Sequence, residues 1–201
     1  MSGLRKRRAA VLISGRGSNM LSLIEAAEAP DYPAEIVAVI SNRADAAGLS
    51  RAAAAGIATA ALDHRAFPDR PSFDAELDRL LRAHGAEIVV LAGFLRILTD
   101  GFVRAWEGRM INIHPSLLPA YKGLHTHERA LADGATQHGC TVHHVVAELD
   151  SGPIIAQAAV PVLPGDTPET LGRRVLAEEH RLFPAALADL ARTLPGAEPA
   201  S

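Results

Sequence analysis

At 201 residues the chain is long enough to bury the core of one domain, and 48% apolar with 21% charged residues is an ordinary balance for a globular protein in water. A formal charge of −3 and only 4% aromatic residues argue against a general attraction to nucleic acid or anionic lipid and against a platform for stacking bases. The single cysteine, Cys140, excludes an internal disulfide and a thiolate metal cluster, and it favours a cytoplasmic setting.

The basic run Arg5-Lys6-Arg7-Arg8 precedes an apolar stretch that ends at Ser14-Gly15, too soon for a signal peptide. It reads as a solvated lead-in to a buried strand, and no segment has the length needed to span a membrane. Short apolar runs at 9–13, 35–40, 57–62, 88–91 and 110–113 read as strands of a parallel sheet covered on both faces. Between them, 19–29, 44–55 and 72–84 are rich in alanine and leucine and read as helices, with Gly56 and Gly85 at expected C-caps. In the last of these, Phe73, Leu77, Leu80 and Leu81 share one apolar face. Further on, 139–147 and 153–161 are strand-like and joined by a short turn through Asp150-Ser151-Gly152, which makes a hairpin and a mixed sheet. Thr167-Pro168-Glu169-Thr170 opens a final helix that runs to about Leu190 with a bend at Pro184, and the tail 195–201 is expected to fray. The expected fold is a single α/β domain over 1–201. Its sheet is doubly wound and mostly parallel, with a Rossmann-like N-terminal half and an antiparallel hairpin in the C-terminal half.

Three places can carry chemistry. Gly15-Arg16-Gly17-Ser18-Asn19 follows the first strand and opens a helix, so it reads either as a phosphate cradle or as a tight turn capped by Ser18. Asn112 and His114 alternate with Ile111 and Ile113, so both leave one face of a strand at its carboxyl end, where open α/β sheets bind ligands. The loop that follows is bounded by Pro115 and Pro119. Asp150 is either a turn-former or a carboxylate that charges a nearby imidazole, and spacing alone does not pair it with His114. His125-Thr126-His127 and His143-His144 invite a metal reading, but neighbours on a strand face opposite ways and no zinc-helix motif is present. Arg70 and Arg96 are either surface charges or clamps for a carboxylate or phosphate.

Five stretches in this order resemble a known family: 11–19 (Val-Leu-Ile-Ser-Gly-Arg-Gly-Ser-Asn), 91–98 (Leu-Ala-Gly-Phe-Leu-Arg-Ile-Leu), 112–119 (Asn-Ile-His-Pro-Ser-Leu-Leu-Pro), 123–127 (Gly-Leu-His-Thr-His) and 149–153 (Leu-Asp-Ser-Gly-Pro). The third is similar to the folate-dependent formyltransferases at large, and the first and fourth narrow the likeness to phosphoribosylglycinamide formyltransferases. It covers about residues 9 to 190. The resemblance implies transfer of a formyl group from 10-formyltetrahydrofolate to the amine of glycinamide ribonucleotide in purine biosynthesis, without a metal. It implies a catalytic trio of Asn112, His114 and Asp150. It places Gly17, Ser18, Asn19 and Glu179 on the ribonucleotide, and Arg70, Leu95, Arg96, Ile97, Leu98 and Asn112 on the folate. The N-terminal half would serve the ribonucleotide, and the C-terminal half the folate and catalysis. Partners are these two small molecules, with no nucleic acid or membrane, in a monomer or homodimer. Arg16 and Lys122 fall at variable positions of the pattern, and Ser151 stands where glycine is frequent. The rival readings are a formyl-folate hydrolase, an amino-sugar or methionyl-tRNA formyltransferase, a nucleotide-binding oxidoreductase, and a non-catalytic ligand-binding module. The oxidoreductase and the binding module leave the trio unused.

Overall fold

The computed structural model describes residues 5–195. Its strands are β1 (Arg7–Ile13), β2 (Ala34–Ser41), β3 (Ala58–Ala61), β4 (Ile88–Leu91), β5 (Met110–His114), β6 (Gln137–His144) and β7 (Ile154–Pro161). The helices are α1 (Ser18–Ala27), α2 (Ala47–Ala54), α3 (Arg70–Ala83), α4 (Asp100–Ala105), α5 (Thr126–Ala132) and α6 (Pro168–Thr193), with one 3-10 turn at His64–Ala66. One sheet has the order β3-β2-β1-β4-β5-β6-β7, parallel from β3 to β5 and antiparallel through β6 and β7. The expected α/β class and mixed sheet are therefore present.

Alternation along the strands divides the core into two layers. Ala9, Val11, Ile13, Val90, Ile111 and Ile113 face α1 and α6, where Met20, Leu23, Phe183, Leu187 and Leu190 cover them. Ala10, Leu12, Ile40, Val89 and Leu91 face the other way, against Phe73, Leu77 and Leu81 of α3 and Phe102 of α4. The strand order turns at β1, whose neighbours are β2 on one side and β4 on the other. That reversal opens a crevice at the carboxyl ends, the usual ligand edge of such sheets.

Several expectations are corrected. Arg7 and Arg8 lie inside β1, so they are not a solvated lead-in. Arg7 is only 6% exposed because Glu87 neutralises it at 2.6 Å and the carbonyls of Leu194 and Pro195 accept from it at 2.8 and 2.9 Å. β3 is an edge strand with three of four residues exposed, and its alanines cover little. β6 ends at His144, so 145–153 form a wide loop where a short turn was expected. The loop closes where the His144 amide donates to the Pro153 carbonyl at 2.9 Å. A Cβ on Gly152 would stand 1.7 Å from the His144 carbonyl oxygen, so only glycine fits this closure. α6 starts at Thr167-Pro168 as expected, is closed by a capping box between Thr167 and Thr170, and continues past Pro184 to Thr193. The expected frayed tail lies, beyond Pro195, outside the described residues. Among the described residues no helix is long and apolar enough to cross a membrane.

Candidate active site

The glycine loop after β1 leaves α1 with an open N-terminus. Gly17, not Ser18, is the N-cap; it is left-handed (φ 72°), and no side chain caps the helix. The first-turn amides are therefore uncommitted to a side chain, the condition under which a helix start holds an anion. The loop rests on α2 at Gly48, whose amide donates to the Gly15 carbonyl at 3.0 Å. Beside it, the Asn19 amide nitrogen donates to Glu179 Oε2 at 2.7 Å, joining α1 to α6. Burial, opposed by the Asn19 hydrogen bond, raises the Glu179 pKa above the ordinary carboxylate range. Asn19 Oδ1 is buried with no protein hydrogen-bond partner. A cavity of about 470 Å³ flanks the loop, lined by Ser18, Ser22, Glu25, Arg51 and His180. Its lining includes none of the trio.

Asn112 and His114 project from the end of β5, as their alternation requires. The wide loop brings Asp150 back under them, left-handed (φ 49°) and 9% exposed. Asp150 Oδ2 stands 3.5 Å from His114 Nδ1 and accepts from the Gly123 amide at 2.8 Å. His114 Nε2 donates to the Tyr121 carbonyl at 2.8 Å. With Nε2 committed, Nδ1 is the nitrogen left for Asp150 or a reacting atom. The loop after His114 is pinned from β6 and β7. Thr141 donates to the Ser116 carbonyl at 2.7 Å, and Gln157 to the Leu118 carbonyl at 2.9 Å.

His143 is a member of this cluster that sequence reasoning missed. It pairs across the sheet with Asn112, and the Asn112 amide nitrogen donates to its Nε2 at 3.1 Å. Its Nδ1 donates to the His144 carbonyl at 2.9 Å, and burial lowers its pKa, so the ring is neutral with an accepting Nε2. The acceptor fixes which way the Asn112 amide points and leaves that nitrogen one free N–H. His143 Nε2 is also 3.7 Å from Asp150 Oδ1. The β5–β6 register, a non-local feature, makes the cluster.

The folate-side candidates lie in the segment after β4 and at the start of α3. Leu95 and Ile97 are 73% and 61% exposed, whereas Leu98 is buried. The Arg96 guanidinium lies 4.4 Å from the Phe73 ring centroid, and its Nε is buried without a partner. Arg70 is exposed at the first turn of α3, one turn before Phe73. His125 and His127 part company: His127 Nδ1 meets His138 Nε2 at 3.1 Å, and His125 faces Glu128 at 3.6 Å. Among the described residues no three His, Cys, Asp or Glu side chains converge as a metal cage.

The chain is similar to known proteins. The family model described as formyl transferase matches residues 7–187. The chain is 49% identical over 177 residues to phosphoribosylglycinamide formyltransferase of Escherichia coli, covering 88% of this chain and 84% of that one. It is 52% identical over 183 residues to the trifunctional purine biosynthetic protein adenosine-3 of Bos taurus, covering 91% of this chain but only 18% of that relative's length. The crystal structure of phosphoribosylglycinamide formyltransferase from Brucella melitensis superposes with a TM-score of 0.90 at 50% identity, covering 98% of this chain and 100% of that one. An open helix start, an amide–imidazole–carboxylate cluster and an exposed apolar segment thus share one sheet edge in a chain that belongs to the formyl transferase family.

Proposed function

We propose that the protein moves a formyl group from 10-formyltetrahydrofolate to the amine of glycinamide ribonucleotide, a step of purine biosynthesis in the cytoplasm. The observation that carries this reading is the meeting, at one sheet edge, of the open α1 N-terminus with the Asn112–His114–Asp150 cluster. Gly17, Ser18 and Asn19 would hold the phosphate. Glu179, with Asn19 Oδ1, would take donors on the ribonucleotide. Leu95, Arg96, Ile97 and Leu98 would line the pterin pocket, and Arg70 would contact the folate. The two halves of the chain cross in this assignment, because α6 lends Glu179 to the ribonucleotide and α3 lends Arg70 to the folate.

The bound formyl-folate would supply an electrophilic carbonyl carbon, whose oxygen gains negative charge as the amine adds. The adduct then collapses by breaking the bond to the folate nitrogen, which takes up a proton as the amine nitrogen gives one up. The free N–H of Asn112, aimed by His143, is one donor for that oxygen. His114 can be a second donor through Nδ1 only while its ring carries both protons, since Nε2–H is held by the Tyr121 carbonyl. Asp150 is then the counter-charge beside Nδ1. Losing one such donor typically costs on the order of 100- to 1000-fold in rate. Holding both substrates at one edge supplies much of the remaining acceleration.

The test is to mix the purified protein with both substrates and follow folate release by absorbance. Release is expected only when the amine substrate is present. No release from an active donor, or release equally fast without the amine, would overturn the transferase reading.

A further inference from the structure

Ser14 follows directly on β1, where the strand order reverses, and it is 5% exposed. Three hydrogen bonds converge on it. Its amide donates to the Gly93 carbonyl at 2.9 Å, and its Oγ accepts from the Leu95 amide at 2.8 Å. The hydroxyl proton goes to Asn42 Oδ1 at 2.5 Å, which leaves the lone pairs turned to Leu95. The next residue, Gly15, begins the glycine loop and is held on its other side by Gly48. One buried serine therefore touches the start of the segment that carries Leu95–Leu98 and, through the chain itself, the loop that opens α1. The far end of that segment is held separately, where Asp74 Oδ2 accepts from the Thr99 amide at 2.7 Å.

We propose that Ser14 is a positioning residue that couples the two substrate sites, so that occupation of the glycine loop orders the 93–98 segment and the reverse. The proposal rests on the assignment of ribonucleotide and folate to these two loops. A strain or ordering shared by two sites appears as a change in each ligand's affinity when the other is bound, and the factor is the same in both directions. The pathway is short: Gly15 and Leu95 are each one bond or one hydrogen bond from Ser14. Removing the hydroxyl leaves the Leu95 amide and Asn42 Oδ1 without this partner, while no side chain proposed to contact either ligand is altered.

The experiment is a binding cycle by calorimetry. It uses glycinamide ribonucleotide and a folate analogue that has no transferable formyl group. In the wild type, saturation with either ligand is expected to tighten the other by a common factor of about three- to tenfold, the scale of one net hydrogen bond. In Ser14→Ala that factor falls to about one, while each ligand alone binds within a few-fold of wild type. Ser14→Thr, which keeps the hydroxyl, restores most of it. Asn42→Ala, which removes the acceptor that aims the hydroxyl, lowers it by an independent route should Ser14→Ala fail to fold. Independent binding in the wild type, or full coupling in Ser14→Ala, overturns the proposal and leaves the functional reading standing. Failure of both ligands to bind the wild type overturns the functional reading instead.

Discussion

Asp150 is the residue on which the proposed chemistry depends most sharply, because it faces two imidazoles from a strained backbone position. In Asp150→Asn the shape is kept and the counter-charge to His114 is lost. Turnover is expected to fall on the order of 100- to 1000-fold, with KM for both substrates within a few-fold of wild type. Steady-state kinetics with each substrate varied checks this, and unchanged turnover would remove Asp150 from the mechanism. At this scale the sequence is partly legible. Strand alternation alone puts Asn112 and His114 on one face. The approach of Asp150 depends on a loop whose closure hangs on Gly152, and His143 joins only through the β5–β6 register. Neither is a local property, so neither is written in the spacing. Ser14 leaves a fainter sign, a polar residue directly after the apolar run 9–13.

Among the elements, α2 does more than cover the sheet. An ideal Cβ on Gly48 would stand 2.4 Å from Ile13 Cδ1, 3.0 Å from the Gly15 carbonyl oxygen and 3.3 Å from the Gly17 Cα. The isoleucine end can turn aside, but the two backbone atoms belong to the glycine loop and can give only by moving it. Gly48→Ala is therefore expected to lower stability by about 1–3 kcal/mol, the usual cost of overpacking. It should weaken binding of glycinamide ribonucleotide more than that of the folate analogue. Denaturant melts and calorimetry test both halves, and wild-type ribonucleotide affinity would show that α2 does not shape the loop. The long elements were readable because apolar periodicity persists over several turns, as in α3 and α6. α4 and α5 were not read as helices, since six and seven residues are too few to display a period. The hairpin was misjudged for a related reason. Val145 still donates to the Met110 carbonyl after β6 ends, so apolar residues run on beyond the strand into the loop.

For the molecule as a whole, buried histidines set the response to acid. Burial lowers the pKa of His127, His143, His144 and His180, and brings His138 down to about 4. An unfolded histidine titrates near 6.5. Between about 6.5 and 4 the unfolded chain thus binds more protons than the folded one, and stability is lost as pH falls through that window. Glu179, whose pKa is raised, works in the opposite direction but is one group against five. The melting temperature is expected to drop steadily from pH 6.5 to 4.5, and a flat profile would contradict it. The clasp of Arg7 on the Leu194 and Pro195 carbonyls has a different consequence. It brings the two ends of the described chain together at the start of β1, a full strand's length from the loops that would meet substrate. The described residues therefore begin and end on the same side of the sheet, opposite the carboxyl ends of the parallel strands. That geometry leaves the working edge clear of both ends of the described residues, which suits a fold whose match covers only 18% of the trifunctional relative's length.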